Sequence, residues 1–279
     1  MWRVIYINKR PRGELMQGKE IYLISHRGLA GYAPENTRSA FLGGYYLGFD
    51  QFETDVRITQ DEQFVLFHDF GLERTSNGSG AVKEHTVSQL RELDCGGWFS
   101  PEFQGERILT LTEFFELLST MKKLIHLVIH IKDEILSVTQ IQRLLETIEQ
   151  AQIRRTCNLN IASAHEAILR DVRRLAAGLP TTFLAPRGLA TPESIERCKN
   201  IGCEFWAPYA LDIDVKSVEK AHAENLKVRL WGMPKGNIKE LVVTAGNVLD
   251  MGVDGLTTDF PDIVRTVCQL RNLKEKGFE

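Results

Sequence analysis

Two acids one residue apart, Glu53 and Asp55 in the stretch QFETDVRIT, and two histidines with charged neighbours, His26-Arg27 and His68-Asp69, are the residues of this chain whose types and spacing could do chemistry. Side chains of a strand alternate between faces, so Glu53, Asp55 and Arg57 share one face while Phe52, Thr54, Val56 and Ile58 share the other. Carboxylates buried a few ångström apart repel each other, and both stay ionised only beside a metal or a basic side chain. Hard oxygen ligands favour Mg2+ or Ca2+. The competing reading is structural: the two acids pair with Arg57 or Lys132.

His26, in SHRG, stands where the first apolar run ends, and His68 stands in LFHD. Histidine titrates near neutral pH, and an adjacent arginine can hold a phosphate oxygen with its planar fork. Two histidines facing a metal would place an acid and a base on opposite sides of a phosphoryl centre. Taken singly, a histidine is more often a core or capping residue. LVIHIKDE, residues 127–134, puts Leu127, Ile129 and Ile131 on one strand face and Val128, His130 and Lys132 on the other, so a second strand presents basic groups beside an aliphatic stripe. Three other chemistries lose support. The chain has neither a Walker-type phosphate loop nor a glycine-x-glycine turn after its first strand, and Ser25 and Ser163 lack a nucleophile-elbow context.

These residues need a scaffold that gathers strand ends. From residue 21 onward short apolar runs alternate with helical patterns, the mark of parallel strands joined by crossover helices. Strands are expected at 21–27, 51–58, 124–132, 157–163, 180–186, 204–209, 227–232 and 255–259. Over 137–150 a helical stripe of Val138, Ile141, Leu144, Leu145 and Ile148 must face the sheet. Thr191 and Asp214 suit helix N-caps, Pro192 a first helical position and Gly202 a helix end; Asn36 or Thr37 can open a helix after Pro34. Eight strand-and-helix units point to an α/β chain folded as a (β/α)8 TIM barrel, because an open doubly wound sheet more often stops at five or six strands. The expected organisation is an N-terminal tail over 1–19 and one barrel domain over 20–279. An insertion at about 60–109 after the second strand would lie over the C-terminal mouth, where barrel enzymes place their sites.

The 279 residues are 43% apolar and 25% charged with a net charge of −3, which gives no electrostatic reason for a nucleic-acid partner and suggests a small molecule instead. Five scattered cysteines, Cys95, Cys157, Cys198, Cys203 and Cys268, form neither a zinc spacing nor a disulfide framework. With no apolar run long enough for a secretory signal or a transmembrane segment, the expectation is a soluble cytoplasmic protein. Nothing in the sequence speaks to its oligomeric state.

Taken in order, HRG and PENT at 26–28 and 34–37, FETDVRIT at 52–59, HD at 68–69, LERTSNGSG at 72–80, WFSPEFQGERILTLTEFF at 98–115 and MGVDGLTTDFPD at 251–262 resemble the glycerophosphodiester phosphodiesterase family. The likeness runs from about residue 21 to 265, and the insertion is itself a mark of that family. It implies a metal-dependent barrel hydrolysing glycerophosphodiesters to sn-glycerol 3-phosphate and an alcohol. Carried over, Glu53 and Asp55 are metal ligands, His26 and His68 the acid/base pair, and Arg27 and Lys132 the phosphate contacts. Three positions depart from the family pattern. Its usual Ile-Glu-Ile-Lys, whose glutamate is a third metal ligand, reads Ile129-His130-Ile131-Lys132 here. Its Trp-Thr-Val-Asn reads Trp231-Gly232-Met233-Pro234, keeping an aromatic wall at Trp231 for substrate, and its Ser-Phe pair reads Ser163-Ala164. His130 then has three readings. It is a neutral ligand shifting preference towards Mn2+, Co2+ or Zn2+, a cation replacing the metal, or the mark of an impaired, non-catalytic site. Loss of the aromatic also leaves room for an acyl chain, as in a lysophospholipase D.

Overall fold

The structure, a computed structural model, describes residues 19–276, so residues 1–18 of the expected tail lie outside the described residues. Lys19, counted with that tail, is docked: its Nζ donates to the Gly252 carbonyl at 2.6 Å. The strands are β1 (Glu20–His26), β2 (Gln51–Ile58), β3 (Phe64–Leu66), β4 (Ile125–Ile131), β5 (Cys157–Ser163), β6 (Thr181–Leu184), β7 (Phe205–Ala207), β8 (Lys227–Leu230), β9 (Gly255–Thr258) and β10 (Lys274–Glu275). The helices are α1 (Arg38–Tyr46), α2 (Val87–Leu90), α3 (Leu111–Ser119), α4 (Val138–Gln150), α5 (Glu166–Leu175), α6 (Pro192–Ile201), α7 (Val215–Ala223), α8 (Ile238–Asp250) and α9 (Pro261–Gln269). Strands β1, β2, β4, β5, β6, β7, β8 and β9 pair in that order and all parallel, and β9 pairs back with β1, closing the (β/α)8 barrel.

Helix starts follow the caps legible in the chain. Thr37, Thr191 and Asp214 each accept a backbone N–H of the first helical turn, satisfying a donor the helix itself cannot. Pro192 begins α6 and Gly202, at φ +85°, ends it. On α4, Ile141, Leu144 and Ile148 are buried and Leu145 packs against the same core, but Val138 is 39% exposed, because it lies in the first turn, before the helix crosses the strands. The outward strand faces carry the main core: Phe52 and Val56 of β2 pack outward, with Phe52 against Phe41, which in turn meets Phe114 at 4.3 Å between ring centroids.

Inside the barrel, Tyr22, Ile24, Val128, Ala162 and Phe205 form a small apolar plug. A polar layer joins it, in which the buried Arg229 donates to Thr182 Oγ1 at 2.8 Å and to Asn160 Oδ1 at 3.3 Å. The insertion after β2 folds back at once. β3 runs antiparallel to the C-terminal end of β2, with Val56 opposite Leu66 and Ile58 opposite Phe64. Its own core, Val65, Phe67, Leu72, Val82, Leu90, Cys95 and Ile108, fixes the segment that carries His68. Among the described residues no helix is long and apolar enough to cross a membrane.

Candidate active site

Strand register assembles the site. In the parallel ladder His26 of β1 pairs with Glu53 of β2, and Asp55 of β2 pairs with His130 of β4, so four side chains from three strands converge at the C-terminal end of the barrel. His130 Nδ1 lies 3.2 Å from Asp55 Oδ1 and 3.7 Å from Glu53 Oε1, and His26 Nε2 lies 3.8 Å from Glu53 Oε2. Arg27 sits at φ 52°, a left-handed conformation that turns its guanidinium back over β2, where Nε meets Asp55 Oδ2 at 2.8 Å. Gly28 follows at φ +88°, and a Cβ there would press on Ala40 at 2.8 Å, which is why this turn after β1 takes glycine. Asn36, expected only as a helix opener, donates to Asp55 Oδ2 at 3.2 Å and accepts from Thr54 at 3.0 Å, fixing the carboxylate's plane.

Each histidine has a carboxylate behind it. His26 Nδ1 is bonded to Asp259, the residue after β9, and Asp259 Oδ2 also meets Lys235 Nζ at 2.7 Å. His68 Nδ1 lies 2.5 Å from Asp69 Oδ1, and its Nε2 lies 3.1 Å from Lys132 Nζ. Burial pushes the His68 pKa down to about 4, against the pull of Asp55 and with the push of Arg27 and Lys132. The ring is therefore neutral at pH 7. The network assigns its proton to Nδ1, bonded to Asp69, and its lone pair to Nε2.

Burial alone would raise the Asp55 pKa, but Arg27, His130, His68 and Lys132 hold it well below the usual carboxylate range. Burial also pulls Lys132 below its ordinary value, with Asp55 opposing. Arg57 does not serve the acids. It donates to the His68 carbonyl at 3.0 Å and to Asp133 at 3.3 Å, so the expected Arg57 pairing is replaced by one with Asp133, the next acid along the chain from Lys132. The basic neighbours of Asp55 are Arg27 at 2.8 Å, His130 at 3.2 Å and Lys132 at 4.0 Å.

Glu53, Asp55 and His130 place one ligand atom each within 4.8 Å of one another. Asp55 Oδ1 is sealed from solvent, with His130 Nδ1 at 3.2 Å and Lys132 Nζ at 4.0 Å as its basic neighbours, so a cation between the acids and the imidazole would find this oxygen already turned inward. Two oxygens and one imidazole nitrogen are a donor set that a divalent metal fits. Trp231, immediately after β8, is held elsewhere on the mouth: its Nε1 donates to the Ala185 carbonyl at 3.2 Å and its ring meets Tyr209 at 5.1 Å. Gly232, at φ +76°, lies so close to Tyr209 that a Cβ would come within 2.1 Å of that ring. The structure thus gathers His26, Arg27, Glu53, Asp55, His68, His130 and Lys132, and sets Trp231 at the end of β8 against Tyr209. Sequence reasoning missed three partners of the site: Asp259; Glu35, which meets Arg27 Nη1 at 2.6 Å; and Arg74, which donates to both Glu35 and Asp69. A carboxylate directly after the last barrel strand was the available signal for Asp259.

The pattern of the glycerophosphoryl diester phosphodiesterase family matches residues 26–263. A glycerophosphodiester phosphodiesterase of Caldanaerobacter subterraneus subsp. tengcongensis is 33% identical over 258 residues, covering 91% of this chain and 98% of that one. Another, of Bacillus altitudinis, is 30% identical over 243 residues, covering 86% and 95%. Among solved structures, an Oleispira antarctica phosphodiesterase in complex with the product sn-glycerol-3-phosphate superposes with a TM-score of 0.79 at 25% identity, covering 88% of this chain and 96% of that one.

Proposed function

Because the chain belongs to the glycerophosphoryl diester phosphodiesterase family, we propose that it hydrolyses glycerophosphodiesters such as glycerophosphocholine to sn-glycerol 3-phosphate and an alcohol. The observation that carries the reading is the closed arrangement at the mouth: a Glu53–Asp55–His130 cluster with His26 on one side and His68 with Lys132 on the other. His68, neutral and unprotonated at Nε2, takes the proton of the glycerol hydroxyl next to the ester as that oxygen attacks phosphorus, Lys132 turning from Nε2 to the phosphate oxygens when substrate binds. His26, braced by Asp259, gives a proton to the leaving alcohol; water then opens the cyclic phosphate, losing its proton to His26 while His68 gives its proton back to the glycerol oxygen. Arg27 and Lys132 hold the non-bridging oxygens, which carry negative charge in the bound diester as well as in the transition state. Glu53, Asp55 and His130 would hold a divalent cation, which supplies Lewis-acid stabilisation of those same oxygens. Two carboxylates favour Mg2+ or Ca2+, and the imidazole widens the choice to Mn2+, Co2+ or Zn2+.

A second reading rests on His130 Nδ1 lying 3.2 Å from Asp55 Oδ1: protonated, His130 would act as an internal cation in place of the metal. We further take residues 20–279 as one domain. Five free, buried thiols support a reducing compartment, the cytoplasm. Assay of purified protein for glycerol 3-phosphate release tests the roles: His26→Ala and His68→Ala should each abolish turnover, and full activity in either would sink the assignment.

A further inference from the structure

A closed chain of polar contacts runs through the phosphate-binding groups, acid against base at every step except where neutral His68 meets Lys132. Asp55 meets Arg27 at 2.8 Å; Arg27 Nη1 meets Glu35 Oε1 at 2.6 Å; Glu35 is gripped by Arg74 at 2.8 and 2.9 Å. Arg74 grips Asp69 at 2.5 and 3.1 Å; Asp69 meets His68 at 2.5 Å; His68 meets Lys132 at 3.1 Å, and Lys132 returns to Asp55 at 4.0 Å. One guanidinium therefore makes two forked contacts, one to a carboxylate on the loop after β1 and one to a carboxylate on the insertion. Only arginine presents enough coplanar donors for this.

We propose that Arg74 is a positioning residue of the hydrolysis proposed above: through Asp69 it orients His68, and through Glu35 it orients Arg27, so that one side chain sets the spacing between the proton acceptor and the phosphate clamp. Arg74 touches no reacting atom. Its side chain is 44% exposed and Asp69 is 29% exposed, so that pair is screened by solvent, while Glu35, 10% exposed, keeps Arg27 as a second cationic partner if Arg74 is lost. Yet misplacing a reacting group by about 1 Å can cost about a hundredfold in rate. Its effect is therefore kinetic. It is also divided: the Asp69 arm governs kcat, because it holds the base, and the Glu35 arm governs KM, because it holds the clamp.

The test is steady-state kinetics on glycerophosphocholine with Asp69→Asn, Glu35→Gln, Arg74→Gln and the pair Asp69→Asn/Arg74→Gln, each checked by circular dichroism. Asp69→Asn should lower kcat about tenfold or more with little change in KM, Glu35→Gln should raise KM with little change in kcat, and Arg74→Gln should do both. The pair should have the kcat of Asp69→Asn alone, because Arg74 reaches His68 only through Asp69. Losses in kcat that multiply in the pair, or an Arg74→Gln enzyme matching wild type in both constants, would overturn the proposal. If Arg74→Gln does not fold, Arg74→Lys decides: an ammonium faces only one of the two carboxylates, so wild-type constants there overturn it equally. Nitrogen-15 NMR of the His68 ring needs no turnover and separates this proposal from the functional reading: one Nδ1–H tautomer in wild type and a mixture in Arg74→Gln supports it, and identical spectra overturn it.

Discussion

His130 is the residue on which the metal chemistry turns. It occupies a ladder position directly opposite Asp55 and faces both acids, so any cation held there must take an imidazole where an oxygen would otherwise stand. His130→Glu restores a third hard ligand and should raise Mg2+ or Ca2+ affinity by about tenfold or more while reducing tolerance for softer ions. Titration calorimetry on the two proteins measures this, and equal affinities would remove His130 from the ligand set. At this scale the sequence was informative where strand alternation decides. A period of two is enough to place Glu53 with Asp55 and His130 with Lys132, before any contact is known. It was uninformative about Asp259 as the partner of His26, because 233 residues separate them and only closure of the barrel brings β9 beside β1. Arg57 misled for a related reason: it shares the face of the acids, but Asp133 and the His68 carbonyl claim its donors first.

Among the elements, the insertion matters most, because it delivers His68 from beyond the barrel strands and the turns that directly follow them. His68 follows β3, and β3 is fixed by its antiparallel pairing with β2 and by a core separate from that of the barrel. Leu72 is 1% exposed within that core. Leu72→Ala should cost about 2–5 kcal/mol locally, and because His68 sits four residues away it should lower kcat more than it lowers the melting temperature of the whole chain. Thermal unfolding paired with rate measurement checks this; a fall in melting temperature with unchanged kcat would uncouple the insertion core from the site. The eight barrel strands were legible because each is an apolar run bounded by helical periodicity. The three residues of β3 were not, since so short a run becomes a strand only through its partner β2. Val138 shows the limit of periodicity, which finds a stripe but not the point at which a helix leaves the sheet.

For the whole molecule, closure of the barrel buries polar groups whose titration sets its acid limit. His126 on β4 lies inside the barrel, where burial, reinforced by Arg229, Lys227 and Lys276, pushes its pKa down to about 3. An unfolded chain would protonate it near pH 6.5, so between those values the unfolded state binds the extra proton and stability falls as pH falls. The loss should reach about 2 kcal/mol by pH 5 from this residue alone. Denaturant titrations at pH 7 and pH 5 measure it, and His126→Phe should flatten the dependence; an equally steep slope in that variant would assign the acid limit elsewhere. Above pH 7 the contribution is constant, so function can be assayed there on a fully folded protein. In that range, the central claim is that a divalent cation at Glu53, Asp55 and His130 is required for phosphodiester hydrolysis. It is tested most directly by following release of sn-glycerol 3-phosphate from glycerophosphocholine before and after chelation. Release should stop on chelation and return when Mg2+, Ca2+ or Mn2+ is added back in excess. Release that continues unchanged in the metal-free protein would contradict the account.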